Sequence, residues 1–205
     1  MNPLPKSYYQ TDDLPHMAQS LLGKIIKSKI DGAQVIGRIV ETEAYRSSDD
    51  KGSHAYPDKV TKRTEVQFAA GGNAYIYLCY GIHHLFNIIT GPAEAGHVVL
   101  IRAVELIEGE SYARHRRNIK VSHVHLTNGP GKWTQAFGIT TDLNNCSLYS
   151  ATGQITVLDA PKIPRSQIIA SPRVGIAYAQ ECASWPWRFR IKNSIWTSKP
   201  DQVFY

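Results

Sequence analysis

Gln34-Val-Ile-Gly-Arg-Ile-Val-Glu-Thr-Glu-Ala-Tyr45 is the stretch whose reading decides the fold. Its residues alternate with period two, which is the pattern of a strand. On unbroken alternation Ile39, Glu41, Glu43 and Tyr45 lie on one side, with Ile36, Val40 and Ala44 on the other. Upstream, residues 24–28 read as a shorter strand. Residues 14–22 fit a helix, with Asp13 as N-cap, Pro15 in the first turn and Gly23 at its end. Downstream, residues 46–73 are polar and lack a regular apolar period, and a loop of that length in a compact domain is usually functional or disordered. The apolar runs 74–79 and 82–89 then meet at Tyr80-Gly81 as a hairpin.

Residues 97–104 make another strand. Helical stretches follow at 108–118, 131–137 and 173–182, the last started by Ser171-Pro172 and the middle one ended by Gly138. The tail 188–196 reads as a final strand. Strands come first and helices later, so the expected class is α+β, mainly antiparallel, in one domain spanning 1–205.

The totals agree with one ordinary globular core: 205 residues, 42% hydrophobic and 20% charged. Disorder and fibrous repeats do not fit that balance. A formal net charge of +6 points toward polyanions. Three cysteines without a Cys-x-x-Cys pair argue against a disulfide framework and a thiolate zinc site. No apolar leader core precedes Asp13 and no window reaches membrane-span length. The expectation is a soluble intracellular protein, in cytoplasm or nucleoid if bacterial and in the nucleus if eukaryotic.

Two residues stand out. Acidic side chains are depleted in strands and costly to bury unpaired. A strand running into solvent, or an arginine partner, would account for Glu43; Tyr45 and the long polar loop after it favour a cleft. Tyr80 is a large aromatic at a hairpin tip. It either packs back on a neighbouring loop or acts as a wedge that enters a base stack. The histidines lack metal-ligand spacing: His83 and His84 point to opposite faces, and His123 and His125 share a face without a third ligand, so no metal is expected. Asn128-Gly-Pro-Gly-Lys132 is either a helix-entry turn or a phosphate cradle. Arg114, His115, Arg116, Arg117 and Lys120 form a basic cluster; with Lys59, Lys62 and Arg63 they are candidates for phosphate contact.

Together these segments resemble the alkyladenine (3-methyladenine, or methylpurine) DNA glycosylase family. The resemblance is carried by Gly37-Arg-Ile-Val-Glu-Thr-Glu-Ala-Tyr45, Ser53-His54-Ala55, Ala74-Tyr-Ile-Tyr-Leu-Cys-Tyr-Gly-Ile82, Asn87, Val98-Val-Leu-Ile-Arg-Ala-Val104, Asn128-Gly-Pro-Gly-Lys132, Arg173-Val-Gly-Ile176 and Pro186-Trp-Arg-Phe189. It implies a curved antiparallel sheet flanked by helices, with the hairpin presenting a DNA wedge. It also implies metal-free and cofactor-free excision of damaged purines from double-stranded DNA, without lyase activity, by a monomer. Glu43 matches the water-activating glutamate and Arg102 the arginine beside it. Tyr45, His54, Ala55 and Tyr77 match residues around the extruded base, Asn87 the pocket asparagine, and Tyr80 the intercalating tyrosine. Lys62, Arg63 and Lys132 are carried as backbone contacts.

Four places depart from the family pattern. Lys62-Arg63-Thr64 stands where Arg-Asn is common, Gln67-Phe68 where Met-Phe is common, Ile195 at a frequent proline position, and His83 where other side chains occur. They bear on DNA contacts and substrate preference and leave the reaction class intact. Glycoside cleavage commonly uses two carboxylates, but a purine alkylated at N3 or N7 is already a cationic leaving group, so one can suffice. Two other classes stay open on sequence: a lesion-binding protein without catalysis, and an RNA-binding module stacking bases on Tyr75 and Tyr77.

Overall fold

The computed structural model describes residues 1–198; residues 199–205, the end of the expected domain, lie outside the described residues. Its centre is one eight-stranded sheet with antiparallel pairing throughout. The strands are β1 (Ile25–Ile30), β2 (Ala33–Tyr45), β3 (Ala74–Cys79), β4 (His83–Thr90), β5 (His97–Glu108), β6 (Ile155–Leu158), β7 (Ile168–Ser171) and β8 (Arg188–Ile191). Their order is β3-β4-β5-β2-β1-β6, with β8 pairing the second half of β2 and β7 pairing β8. Three α-helices accompany them: α1 (Leu14–Ser20), α2 (Glu110–Arg117) and α3 (Pro130–Phe137). The Asp13 side chain caps α1 by accepting from the His16 N–H, and left-handed Gly138 terminates α3. The class is α+β, as expected.

The helices bury their apolar residues against one face of the sheet, in a core that joins Met17, Ala113, Trp133 and Phe137 to Ile76, Phe86, Ile88, Val99 and Ile101. Trp133 is fully buried and its indole N–H donates to the Ile101 carbonyl at 2.8 Å, so the largest core side chain leaves no orphaned donor. Alternation sends Tyr75 and Tyr77 of β3, Asn87 of β4 and Leu100 and Arg102 of β5 toward the other face, where they line a cavity.

In β2 the simple alternation fails, and the failure positions the site. Ile39 pairs with Val104 and Glu41 with Ala103, so Val40 is an extra residue; Thr42 pairs with Ile101, so Arg102 is an extra residue on β5. These offsetting bulges reverse the parity. Val35 and Ile39 face the core before the bulge, and Val40 and Ala44 face it afterwards. Ile39 therefore does not share a face with Glu41, nor half-buried Ile36 with Val40, contrary to the strict period. Unbroken alternation from Val35 and Ile39 would have driven Glu41 and Glu43 into apolar surroundings without partners. At Gly37 β2 approaches β5 so closely that a Cβ would lie 2.7 Å from the Glu105 carbonyl oxygen and 3.0 Å from the Phe137 ring, which leaves room only for glycine.

Other expectations are corrected. Residues 173–182 are not one helix: Gly175 (φ 77°) and Gln180 (φ 54°) have positive φ, and two short 3₁₀ turns within Ala177–Ser184, parted by a kink at Gln180, replace it. The strand expected over 188–196 stops at Ile191, and Asn193 turns the chain at φ 60°. β6 and β7, four residues each, were too short to announce themselves by period. His123 and His125 lie in a 3₁₀ turn, His123–Leu126, and not on a strand face. The hairpin forms at Tyr80 and Gly81, both with positive φ, and the Ile82 N–H closes it on the Cys79 carbonyl at 3.1 Å. Among the described residues no helix is long and apolar enough to cross a membrane.

Candidate active site

The face of the sheet away from the helices opens into a cavity of about 440 Å³, a volume typical of small-ligand sites. Tyr45, His54, Arg63, Gln67, Tyr75, Tyr77, Asn87, Arg102 and Val174 contribute to its wall, and Tyr80 and Tyr178 stand at its rim. Directly behind the wall lies Glu43, with no exposed surface. Three donors from cavity-lining residues converge on it. Arg102 Nη1 donates to Oε2 at 3.2 Å, the Tyr45 hydroxyl to Oε2 at 2.8 Å, and the Val174 N–H to Oε1 at 2.8 Å.

Arg102 is shared. Its Nε donates to Glu41 Oε1 at 3.1 Å, and Arg188 Nε donates to the same oxygen at 2.6 Å. The Ser198 N–H and hydroxyl complete the shell of Glu41, which is fully buried. Burial alone would depress the Arg102 pKa; Glu43 and then Glu41 overcome it, and the net shift is upward. The two acidic residues of β2 thus have separate stations. Glu41 is saturated between arginines, whereas Glu43 keeps acceptor capacity on Oε1, because a carboxylate has about four lone-pair positions and three are taken. Burial and then the Glu43 charge raise the Tyr45 pKa well above the phenolic range, which keeps its hydroxyl a donor.

The aromatic wall is built on β3. The Tyr75 and Tyr77 rings stack at 5.5 Å and 27°, and the His54 ring meets Tyr77 edge-on at 4.6 Å. Arg63 lies over the Tyr77 ring at 4.8 Å and its Nη2 reaches His54 Nε2 at 3.2 Å. A guanidinium has no acceptor, so Nε2 must receive; the histidine proton is then on Nδ1, which faces the Tyr75 hydroxyl at 3.3 Å. Desolvation by the surrounding protein and then Arg63 push the His54 pKa down to about 4, although the residue is exposed on its cavity side. Asn87 is held by its Nδ2, which donates to the Tyr75 carbonyl at 3.1 Å.

The structure brings together Glu43, Arg102, Tyr45, His54, Tyr77, Asn87 and Tyr80. Ala55 is not in the cavity wall: it is wholly buried and its carbonyl accepts from the Lys59 N–H at 2.6 Å. Arg63 belongs to the wall and not to an outlying basic patch. Lys62 is exposed, and Lys132 donates to Asn128 Oδ1 at 2.9 Å. The basic cluster of α2 is partly engaged within the fold: Arg114 pairs with Glu110, Arg116 donates to the Ile30 carbonyl and Arg117 to Gln135. Among the described residues no three His, Cys, Asp or Glu side chains converge as metal ligands.

Several contributors were invisible to sequence reasoning. Val174 acts through its main chain, which no side-chain pattern reports. It is held in place by Arg173, which is buried in an ion pair with Asp50 and stacks over the Tyr45 ring at 4.6 Å. Tyr75 and Arg63 were noticed for other reasons. The signal that could have placed Arg63 is its proximity in sequence to His54 across one ordered loop.

With that geometry in hand, comparison with known proteins is direct. Residues 7–195 match the model of the methylpurine-DNA glycosylase (MPG) family. A Chlamydia abortus protein named "Putative 3-methyladenine DNA glycosylase" is 44% identical over 193 residues, covering 93% of this chain and 100% of that protein. Proteins of the same name from Bacillus cereus (42% over 202 residues) and Chlamydia felis (43% over 194 residues) cover 95% and 93% of this chain, and 98% of their own lengths.

Proposed function

The chain belongs to the methylpurine-DNA glycosylase family and is a DNA glycosylase of base-excision repair, a hydrolase of N-glycosyl bonds; on that premise we propose that it extrudes a damaged purine into the cavity and cleaves it with water activated by Glu43. The observation that carries this reading is the three-donor clamp on Glu43 behind an aromatic-walled cavity.

In the proposed reaction the base enters between the aromatic side chains, with each stack returning about 1–3 kcal/mol against the cost of extrusion. Tyr80, 91% exposed at the hairpin tip, fills the vacated place in the duplex. The water docks on the uncommitted side of Glu43 Oε1. The C1′–N bond breaks with its electron pair going to the purine, so a cationic 3-methyladenine leaves as a neutral base. Water bonds to C1′ and gives its proton to Glu43. The carboxylate also stabilises positive charge on the sugar, while Arg102 and Tyr45 fix its orientation. Arg102 and Tyr45 do so through Oε2, while the Val174 N–H holds Oε1, the oxygen that takes the water. Asn87, clamped to the Tyr75 carbonyl, limits which purines fit. No lysine or amine attacks the sugar in this scheme, which makes the enzyme a monofunctional glycosylase. It works on double-stranded DNA as a single chain, in the compartment that holds the DNA, without metal or another cofactor.

Glu43→Gln keeps the size and the hydrogen-bonding shape but removes the base. Single-turnover base release from a 3-methyladenine duplex falls by about 100-fold or more, while affinity for that duplex is retained. Appreciable release by this variant would remove Glu43 from its role.

A further inference from the structure

Gln67 is used by none of the steps above. It lies in the 3₁₀ turn Glu65–Phe68, which covers the Tyr75, Ile89 and Val98 cluster through Val66, and it contributes to the cavity wall. The residue is 1% exposed, yet neither its amide nitrogen nor its amide oxygen completes a hydrogen bond of good geometry. The Tyr75 hydroxyl lies near enough to meet one end of the amide loosely: burial raises the Tyr75 pKa, and Arg63 and then hydrogen bonding from Gln67 offset part of that rise. A buried amide with one end loosely met and the other unmatched is costly and calls for an explanation.

A carboxamide presents one donor and one acceptor side by side. That pair complements a purine edge carrying an amino donor next to a ring-nitrogen acceptor, as in adenine, or an oxygen acceptor next to a ring N–H, as in hypoxanthine. Rotating the amide serves either arrangement. An etheno bridge joins those two positions and removes the donor. We infer that Gln67 is a specificity-determining residue of the base pocket, which reads the free donor–acceptor edge of the extruded purine and favours bases with that edge intact over bridged ones. This rests on the proposal that the cavity receives the base.

The test is duplex binding by the full chain carrying Glu43→Gln, so that nothing is cleaved, with and without Gln67→Met. The probes are otherwise identical duplexes containing hypoxanthine, ethenoadenine or no lesion. Gln67→Met should weaken hypoxanthine binding by about tenfold, on the scale of one lost bidentate contact, and leave ethenoadenine binding unchanged. Its melting temperature should be equal or higher, because an incompletely matched buried amide is gone. Gln67→Leu repeats the comparison if methionine disturbs the fold. An unchanged hypoxanthine-to-ethenoadenine ratio, with both lesions still preferred over undamaged duplex, overturns the role of Gln67 alone and marks the amide as served by trapped water. A marked fall in melting temperature overturns it too, by revealing an internal partner. Loss of all lesion preference in the Glu43→Gln parent overturns the base-pocket reading itself.

Discussion

At the scale of single residues, the chemistry rests on how neighbours commit each polar atom. Glu41 and Glu43 are two positions apart on β2 and equally buried, but only Glu43 has an acceptor site to spare. His54 is constrained as tightly. With Arg63 donating to Nε2, protonation there would set two cations together, and the pKa of about 4 follows from burial with that repulsion added. The folded value lies below the ordinary 6.5, so above pH 6.5 His54 is neutral in both folded and unfolded chains. As pH falls from there toward 4 the unfolded chain takes the proton first, and stability declines across that window. A nuclear magnetic resonance titration should give a His54 midpoint near 4, moved upward by Arg63→Ala. A midpoint above 6 in the parent protein would contradict the Arg63 contact.

At the scale of elements, the hairpin and the bulged strand pair matter most. Tyr80 adopts φ 51°, a conformation that suits glycine better than tyrosine, and it is held at the tip without burial. A side chain kept there against backbone preference fits a role outside the fold. Tyr80→Gly should therefore leave the melting temperature unchanged or slightly higher. It should weaken lesion-duplex binding by about tenfold, the scale of one base stack. Equal affinity for both proteins would count against the wedge. The hairpin was legible because Tyr80-Gly81 interrupts two apolar runs, and α1 because Asp13, Pro15 and Gly23 punctuate it. The paired bulges at Val40 and Arg102 were not. A bulge depends on the partner strand, and the partner lies some sixty positions away in sequence. Residues 173–182 misled for a related reason: the positive φ at Gln180 is not encoded by a residue type that demands it.

At the scale of the whole molecule, a net charge of +6 supplies a general attraction to the DNA backbone. Part of the basic content is committed within the fold: Arg102 and Arg188 are buried at Glu41 and Arg173 at Asp50, and Arg116 donates to the Ile30 carbonyl. The number of phosphate contacts should accordingly be smaller than the lysine and arginine count suggests. Exposed Lys62, on the loop that carries Arg63 and Gln67, is the expected contributor. Lys62→Gln should lower affinity for lesion and undamaged duplexes by a similar factor, and reduce the slope of log affinity against log salt by about one. An unchanged slope would place Lys62 away from the phosphates.

The sequence by itself determined the class of fold, the hairpin with Tyr80 at its tip, and the family, because local period, turn residues and motif order are all written along one dimension. It also singled out Glu43, Arg102 and the aromatic residues. Only the tertiary structure decided which oxygen of Glu43 keeps an unused acceptor position, that Glu41 is a strut, that Ala55 lies outside the wall, and that the Gln67 amide is incompletely matched. Each of those depends on donors and acceptors brought together from distant strands and loops. Hydrogen-bond saturation is a property of an assembled shell, and no single segment carries it.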